Sequence, residues 1–192
     1  MREEQLIQVA IMFASEVTIN NQLQQMYSTQ RILTNQELER WRSNRQMKPN
    51  GNISGSTELL RRYMVQHPNS ANFLRHIEQM SNIYNSANGL PWLIATQLMA
   101  QWDPDNFSVY RGFITLSTIT LLFEDNCVEG LDVNADPPQK HREAHSYLLR
   151  MRSLLQNPRV GLTNVNFLTV DLFISWVGQN RQRLRRYAGN LN

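Results

Sequence analysis

The residues nearest to a metal-binding pattern are two histidines, His141 and His145, in the run His-Arg-Glu-Ala-His. Residues four apart share one face of an α-helix, and zinc proteases place a glutamate directly after the first of two such histidines. Here that position holds Arg142, whose charge would repel a dication. Cys127 or Asp132 could complete a site only if the preceding loop folded back. The pattern therefore predicts two polar residues on a helix surface and no metal site.

The rest of the chain offers no arrangement typical of an enzyme. The single cysteine, Cys127, lies beside Glu124 and Asp125, and an acidic surrounding raises the pKa of a thiol and makes it unreactive. The sequence contains no Gly-x-Ser-x-Gly motif and no glycine-rich phosphate loop. We therefore predict that the protein is not an enzyme and uses no cofactor.

The 192 residues, 41% of them hydrophobic, are sufficient for one domain that buries roughly 70% of its unfolded surface. The first residues, Met-Arg-Glu-Glu-Gln, are too acidic for a secretory signal peptide. The two longest apolar runs are interrupted by Arg111 and by Asp171, so neither reaches the ~18 uncharged residues of a membrane span. We expect a single domain without a membrane segment.

Apolar spacing and helix-breaking residues predict an all-α fold of about seven helices. They cover about 3–28, 34–46, 57–66, 70–87, 107–123, 139–156 and 164–187. Pro91 also suits the first turn of a short helix over 91–101. Thr34 with Glu37 forms the pattern of a capping box, which satisfies backbone donors at a helix start.

Two segments are harder to interpret. Residues 107–123 are rich in Val, Ile and Thr, which favour strands, but the run has no internal turn residues, so we predict a buried helix. The polar, glycine-containing segment 47–56 is the clearest loop. It would divide the single helical domain, 1–192, into an N-terminal arm or lobe, 1–46, and a core, 57–192, with a basic last helix.

Charge is strongly segregated along the chain. Arginine supplies 17 of the 19 basic residues, and its planar guanidinium suits phosphates and protein interfaces. Residues 31–75 carry a net charge of +5, residues 103–136 of −6 and residues 139–192 of +7. The acidic block could pair with a basic block of the same molecule. It could also meet a basic block of a neighbouring copy, which would give a head-to-tail assembly.

The last predicted helix ends in four arginines followed by Tyr187. These cations could complement the helix dipole, or they could bind phosphates while Tyr187 stacks on a base. Arg61 and Arg62 precede Tyr63 in a similar way. The four tryptophans are expected to anchor the core or an interface.

Three short segments resemble the helical coat proteins of filamentous plant RNA viruses. Phe73-Leu-Arg-His-Ile-Glu-Gln-Met-Ser81 is similar to their segment with an RNA-facing arginine, here Arg75. Phe123-Glu-Asp125 is similar to an aromatic–aspartate–aromatic motif, without its second aromatic residue. Arg142-Glu-Ala144 resembles a helix that follows. The resemblance covers about 15 residues, excludes residues 1–60, and implies a helical core with a basic groove for RNA.

These observations predict a viral structural protein of the virion or host cytoplasm that self-associates and binds single-stranded RNA non-specifically. Its partners would be further copies, RNA and other structural proteins, but no membrane. The alternative is a helical adaptor that binds a protein through the apolar faces of its first and last helices. The predicted phosphate-binding residues are Arg61, Arg62, Arg75, Arg142, Arg150, Arg152, Arg181, Arg183, Arg185 and Arg186.

Overall fold

A computed structural model describes residues 1–19, 33–43, 54–66, 79, 92–123 and 137–189. Throughout these residues the regular elements are α-helices and no strand occurs, which confirms the all-α prediction. The eight helices are α1 (Glu3–Ile19), α2 (Asn35–Arg42), α3 (Ser54–Gln66), α4 (Trp92–Trp102), α5 (Phe113–Phe123), α6 (Pro137–Leu155), α7 (Phe167–Gln179) and α8 (Arg181–Gly189). No helix in these ranges is long and apolar enough to cross a membrane.

The capping box predicted at the start of α2 is present. The Thr34 hydroxyl accepts a hydrogen bond from the Glu37 amide at 3.2 Å, and the Glu37 carboxylate accepts one from the Thr34 amide at 2.7 Å. α2 ends at Arg42, four residues before the predicted end, and Ser43 caps it. The predicted helix over 70–87 lies outside the described residues except for Gln79, as does most of the loop over 47–56. α3 begins at Ser54, three residues earlier than predicted.

The prediction of one buried helix over 107–123 is wrong at its beginning. Residues 107–110 are buried but not helical, and α5 begins only at Phe113, after Gly112 adopts a φ of +55°. The Tyr110 amide donates a hydrogen bond to the Thr96 hydroxyl of α4, 3.2 Å away. Because of this bond and the left-handed conformation of Gly112, residues 107–110 stay non-helical and the helix begins after them.

Hydroxyl side chains of α5 form local hydrogen bonds with the backbone. The Ser117 and Thr120 side chains donate to backbone carbonyls of the preceding turn, those of Ile114 and Leu116, at 3.1 and 3.0 Å. The Thr115 hydroxyl accepts from the Arg111 amide at 2.9 Å. The buried Thr118 hydroxyl, by contrast, has no hydrogen-bond partner among the described residues.

The last predicted helix, over 164–187, is two helices. α7 begins after Asn166, whose side chain accepts from the Leu168 and Thr169 amides at 3.0 and 3.2 Å. α7 ends at Gln179, and Asn180 caps it with a side-chain amide that donates to the Trp176 carbonyl at 3.0 Å. α8 begins at the next residue, Arg181.

The core lies where α1, α5, α6 and α7 meet. Phe13 of α1 packs edge-on against Phe173 and Trp176 of α7, with ring centroids 5.1 and 5.7 Å apart. Trp41 and Trp92 are also buried, and Trp41 meets the half-buried Trp102 edge-on at 5.1 Å. The prediction that the tryptophans anchor the core is confirmed.

Candidate nucleic-acid interface

The predicted phosphate-binding arginines divide into paired and unpaired groups. Arg183 of α8 donates to the Glu16 carboxylate of α1 at 2.6 Å, and the same carboxylate accepts from the Trp176 indole at 2.7 Å. Arg152 of α6 donates to the backbone and side-chain oxygens of Asp105 at 2.7 and 3.1 Å. These two arginines therefore hold helices and loops together within the molecule.

Two arginines of α6 point outwards. Arg142 and Arg150 are exposed, and neither forms an ion pair with a described residue. The guanidinium carbon of Arg150 lies 4.4 Å from the centroid of the Phe123 ring, a cation–π contact. This contact fixes the position of the cation without neutralising it, so its charge stays available to an anion.

The arginines of α8 project from three sides of the helix. Leu184 is fully buried and anchors the core-facing side, whereas Arg185 and Arg186 are exposed and have no described acidic partner. Arg181 lies one turn before Arg185, on the same side of the helix. Arg183 lies on another side, towards α1. The helix thus directs one arginine into an internal ion pair and leaves three for other contacts.

Arg181 borders a groove of about 340 Å³ between α5 and α7. One wall is apolar: Phe113 is 75% exposed and Ile114 is 42% exposed. The other lining residues include Ser117, Ser175, Gly178 and Gln179. The Nε–H of Arg181 is shielded from solvent and has no hydrogen-bond partner among the described residues.

Arg111, which also lines this groove, forms an ion pair with Asp171. Arg111 donates through Nε and one terminal nitrogen to both carboxylate oxygens of Asp171, at 2.5 and 2.8 Å. Burial raises the pKa of the Asp171 carboxyl, while the hydrogen bonds and charge of Arg111 oppose the rise. Because Asp171 neutralises Arg111, Arg181 is the cation of this lining that has no ion-pair partner among the residues described.

The other predicted arginines differ in exposure. Arg61 is 8% exposed and so less suited to phosphate contact, Arg62 is exposed, and Arg75 lies outside the described residues. Tyr187 is partly buried against the core instead of presenting its ring to solvent. The apolar faces of α1 and α7, the docking surfaces of the adaptor alternative, are packed against each other within this chain.

The prediction that His141 is a surface residue is wrong. Its side chain is 1% exposed and accepts a hydrogen bond at Nδ1 from the Trp92 indole at 3.3 Å. The Tyr110 ring stacks on it, with centroids 5.2 Å apart. Burial lowers the pKa of His141 well below its ordinary value, and that of the partly buried His145 to about 4.

A serine also lies within hydrogen-bond distance of His141, as in the serine–histidine pair of hydrolases. Ser108 Oγ is 2.8 Å from Nε2 of His141. The indole of Trp92 can only donate, so Nδ1 accepts and the proton of the neutral ring resides on Nε2. Nε2 then donates to Ser108 and cannot remove its proton, as a general base must. The contact anchors the non-helical segment 107–110 between α4 and α6.

Sequence reasoning missed this contact because Ser108 and His141 are 33 residues apart. Within the described ranges, no three His, Cys, Asp or Glu side chains are grouped as a metal site would require. Cys127 and Asp132 lie outside those ranges. The chain matches no protein-family model, and no curated protein or solved structure is significantly similar to it.

Proposed function

We propose that this protein is a virus-type structural protein that self-associates and binds single-stranded RNA through the phosphate backbone. The observation that carries the proposal is the set of exposed arginines on α6 and α8, Arg142, Arg150, Arg185 and Arg186. None of these four has an ion-pair partner in the described part of the chain. Exposed arginines without acidic partners among the described residues suit the charge and geometry of phosphate groups.

Arginine–phosphate contacts fix position and carry no information about base sequence. The protein would accordingly bind unrelated single strands with similar affinity. Arg181 joins the set because it shares one side of α8 with Arg185. Arg183 is excluded from it, because its charge is already used by Glu16.

Self-association is proposed from the charge blocks of the sequence. Two ion pairs join the acidic block, 103–136, to the basic block, 139–192, among the described residues. In Arg152 with Asp105 the basic block supplies the cation, and in Arg111 with Asp171 it supplies the anion. Five acidic residues of the acidic block fall within 124–136, outside the described residues. Their charge supports a contact with basic surfaces of neighbouring copies.

The test is fluorescence anisotropy with two labelled RNAs of unrelated sequence over a range of salt concentrations. The triple substitution Arg181→Gln, Arg185→Gln and Arg186→Gln removes three charges while keeping helix propensity. At about 0.7 per phosphate for single strands, the slope of log affinity against log salt should become less negative by roughly 2. Both RNAs should be weakened equally.

Arg159→Gln is the matched control. Arg159 is also an exposed arginine, but both its terminal nitrogens are bonded to Glu4, at 2.9 and 2.6 Å. Its substitution should leave the salt slope unchanged. Wild-type affinity and an unchanged slope in the triple variant would overturn the proposal and favour the adaptor.

A further inference from the structure

The groove between α5 and α7 has features that phosphate binding alone does not require. Phe113 is a large aromatic residue that is 75% exposed, more than any other large hydrophobic residue described. Exposed aromatic rings beside cations are how proteins hold the bases of single strands, because every base has a flat face to stack on. The ring lines the groove together with Arg181, which has no ion-pair partner in the part of the chain that the structure describes.

We propose that this groove binds one nucleotide of a single strand, with the base stacked on Phe113 and its phosphate held by Arg181. The inference rests on the proposed function and extends it from the phosphates to the bases. A nucleotide is the occupant that matches both parts of the lining, an apolar wall and a cation.

The charge of the groove favours an anionic ligand. Arg111 is neutralised by Asp171, whereas the Nε–H of Arg181 is shielded from water and has no acceptor among the described residues. When the Arg181 side chain turns towards the groove, an incoming phosphate oxygen becomes the acceptor that this N–H lacks. Arg185, one turn further along the same side of α8, would hold the next phosphate of the strand.

The dimensions of the groove also suit a small ligand. About 340 Å³ lies at the lower end of the range for ligand pockets. The hydroxyls of Ser117 and Ser175 line the groove; each donates its proton to a backbone carbonyl, of Ile114 and of Asp171, and its oxygen can still accept from a donor on a base edge. Gly178 leaves the α7 wall open, since a Cβ there would be 3.4 Å from Ile114 Cγ2.

The experiment compares a short oligouridylate with an abasic ribose-phosphate oligomer of equal length. The Phe113→Ala variant should bind oligouridylate about tenfold more weakly than wild type and bind the abasic oligomer equally well. Phe113→Trp should keep the wild-type preference for the oligomer with bases. Gly178→Leu, which fills the groove from the α7 side, should reduce this preference without removing any charge.

Val65→Ala is the matched control, because Val65 is an exposed apolar residue of α3, 49% exposed, outside this groove. It should leave both affinities unchanged. Thermal unfolding verifies that Phe113→Ala is folded, as its exposure predicts.

Equal oligouridylate binding by wild type and Phe113→Ala would overturn the inference. The proposed function would survive that result if the arginine variants still altered the salt slope. No binding of either oligomer by wild type would overturn both. A changed oligomeric state in Phe113→Ala, with unchanged RNA binding, would identify the groove as a contact between copies and also overturn the inference.

Discussion

Arg111 and Asp171 form a two-bond ion pair that joins the start of α5 to the middle of α7. Asp171 is almost completely shielded from solvent, and Arg111 is only 13% exposed. Removing one partner of a buried pair leaves the other charge without compensation, whereas replacing both with apolar residues costs much less. The pair therefore fixes the relative position of the two walls of the groove.

We expect Asp171→Asn to lower the free energy of unfolding by about 3 kcal/mol, because Arg111 then lacks a counter-charge. The double variant Arg111→Met with Asp171→Leu should lose less than the sum of the two single losses. Urea unfolding of the three variants measures this difference. Strict additivity would show that the two side chains are not energetically coupled.

His141 should make the protein sensitive to acid. In the unfolded chain a histidine takes up a proton near pH 6.5, whereas burial keeps His141 neutral in the folded protein to a much lower pH. The unfolded state therefore binds more protons below pH 6.5, and stability falls as the pH falls, by up to about 1.4 kcal/mol per pH unit. Unfolding in urea at pH 7 and pH 5 measures the loss.

The sequence pattern alone suggested that replacing His141 and His145 with alanine would have little effect. The buried position of His141 reverses that expectation. His141→Ala should cost about 2–4 kcal/mol at pH 7, through a cavity and the lost partners of Trp92 and Ser108. The free energy of unfolding of this variant should change less between pH 7 and pH 5 than that of wild type. An equal change in both proteins would show that groups other than His141 cause the acid sensitivity.

Glu16 should limit the charge that α8 presents to RNA. Glu16→Gln keeps an acceptor for the Trp176 indole but releases Arg183. Because both charged groups are partly exposed, the stability loss should stay below about 1 kcal/mol. The salt slope of RNA binding should steepen by about 0.7 if Arg183 then contacts a phosphate. Glu4→Gln, which releases Arg159 instead, is the control and should not change the slope.

Self-association should depend on salt. Contacts between opposite charge blocks strengthen below ~0.1 M salt, where the screening length exceeds ~10 Å. Light scattering at high protein concentration should therefore give a larger mean mass in low salt than in high salt. A monomer under both conditions would contradict the head-to-tail contact.

The local signals of the sequence predicted the fold class and several helix ends. The Thr34 capping box depends on residues three apart, so it can be recognised from the sequence alone. The non-helical segment 107–110 depends on a tertiary partner, the Thr96 hydroxyl that bonds the Tyr110 amide. The break at Asn180 depends on a side chain that bonds the Trp176 carbonyl four residues earlier. Apolar periodicity does not record these partners, so the sequence predicted continuous helices at both places.

The candidate site shows the same division. The density of arginines predicted phosphate binding by α8, but the sequence did not distinguish its four arginines from one another. Their difference arises from Glu16, which is 167 residues away from Arg183. The groove was not predicted because Phe113 belongs to an apolar run that reads as buried. Its exposure follows from the turn at Gly112, which places it at the free end of α5.

The contact of Phe13 with Phe173 and Trp176 has a consequence for how this chain is synthesised. The buried face of α1 is completed by residues about 160 positions later, and its carboxylates are bonded by Arg159 and Arg183. While the ribosome is still translating the middle of the chain, the first helix has no partner for its apolar face. Contacts so distant in sequence must await the whole chain and slow folding. The apolar face of α1 should therefore be open to proteases and chaperones on the ribosome until α6 and α7 have emerged.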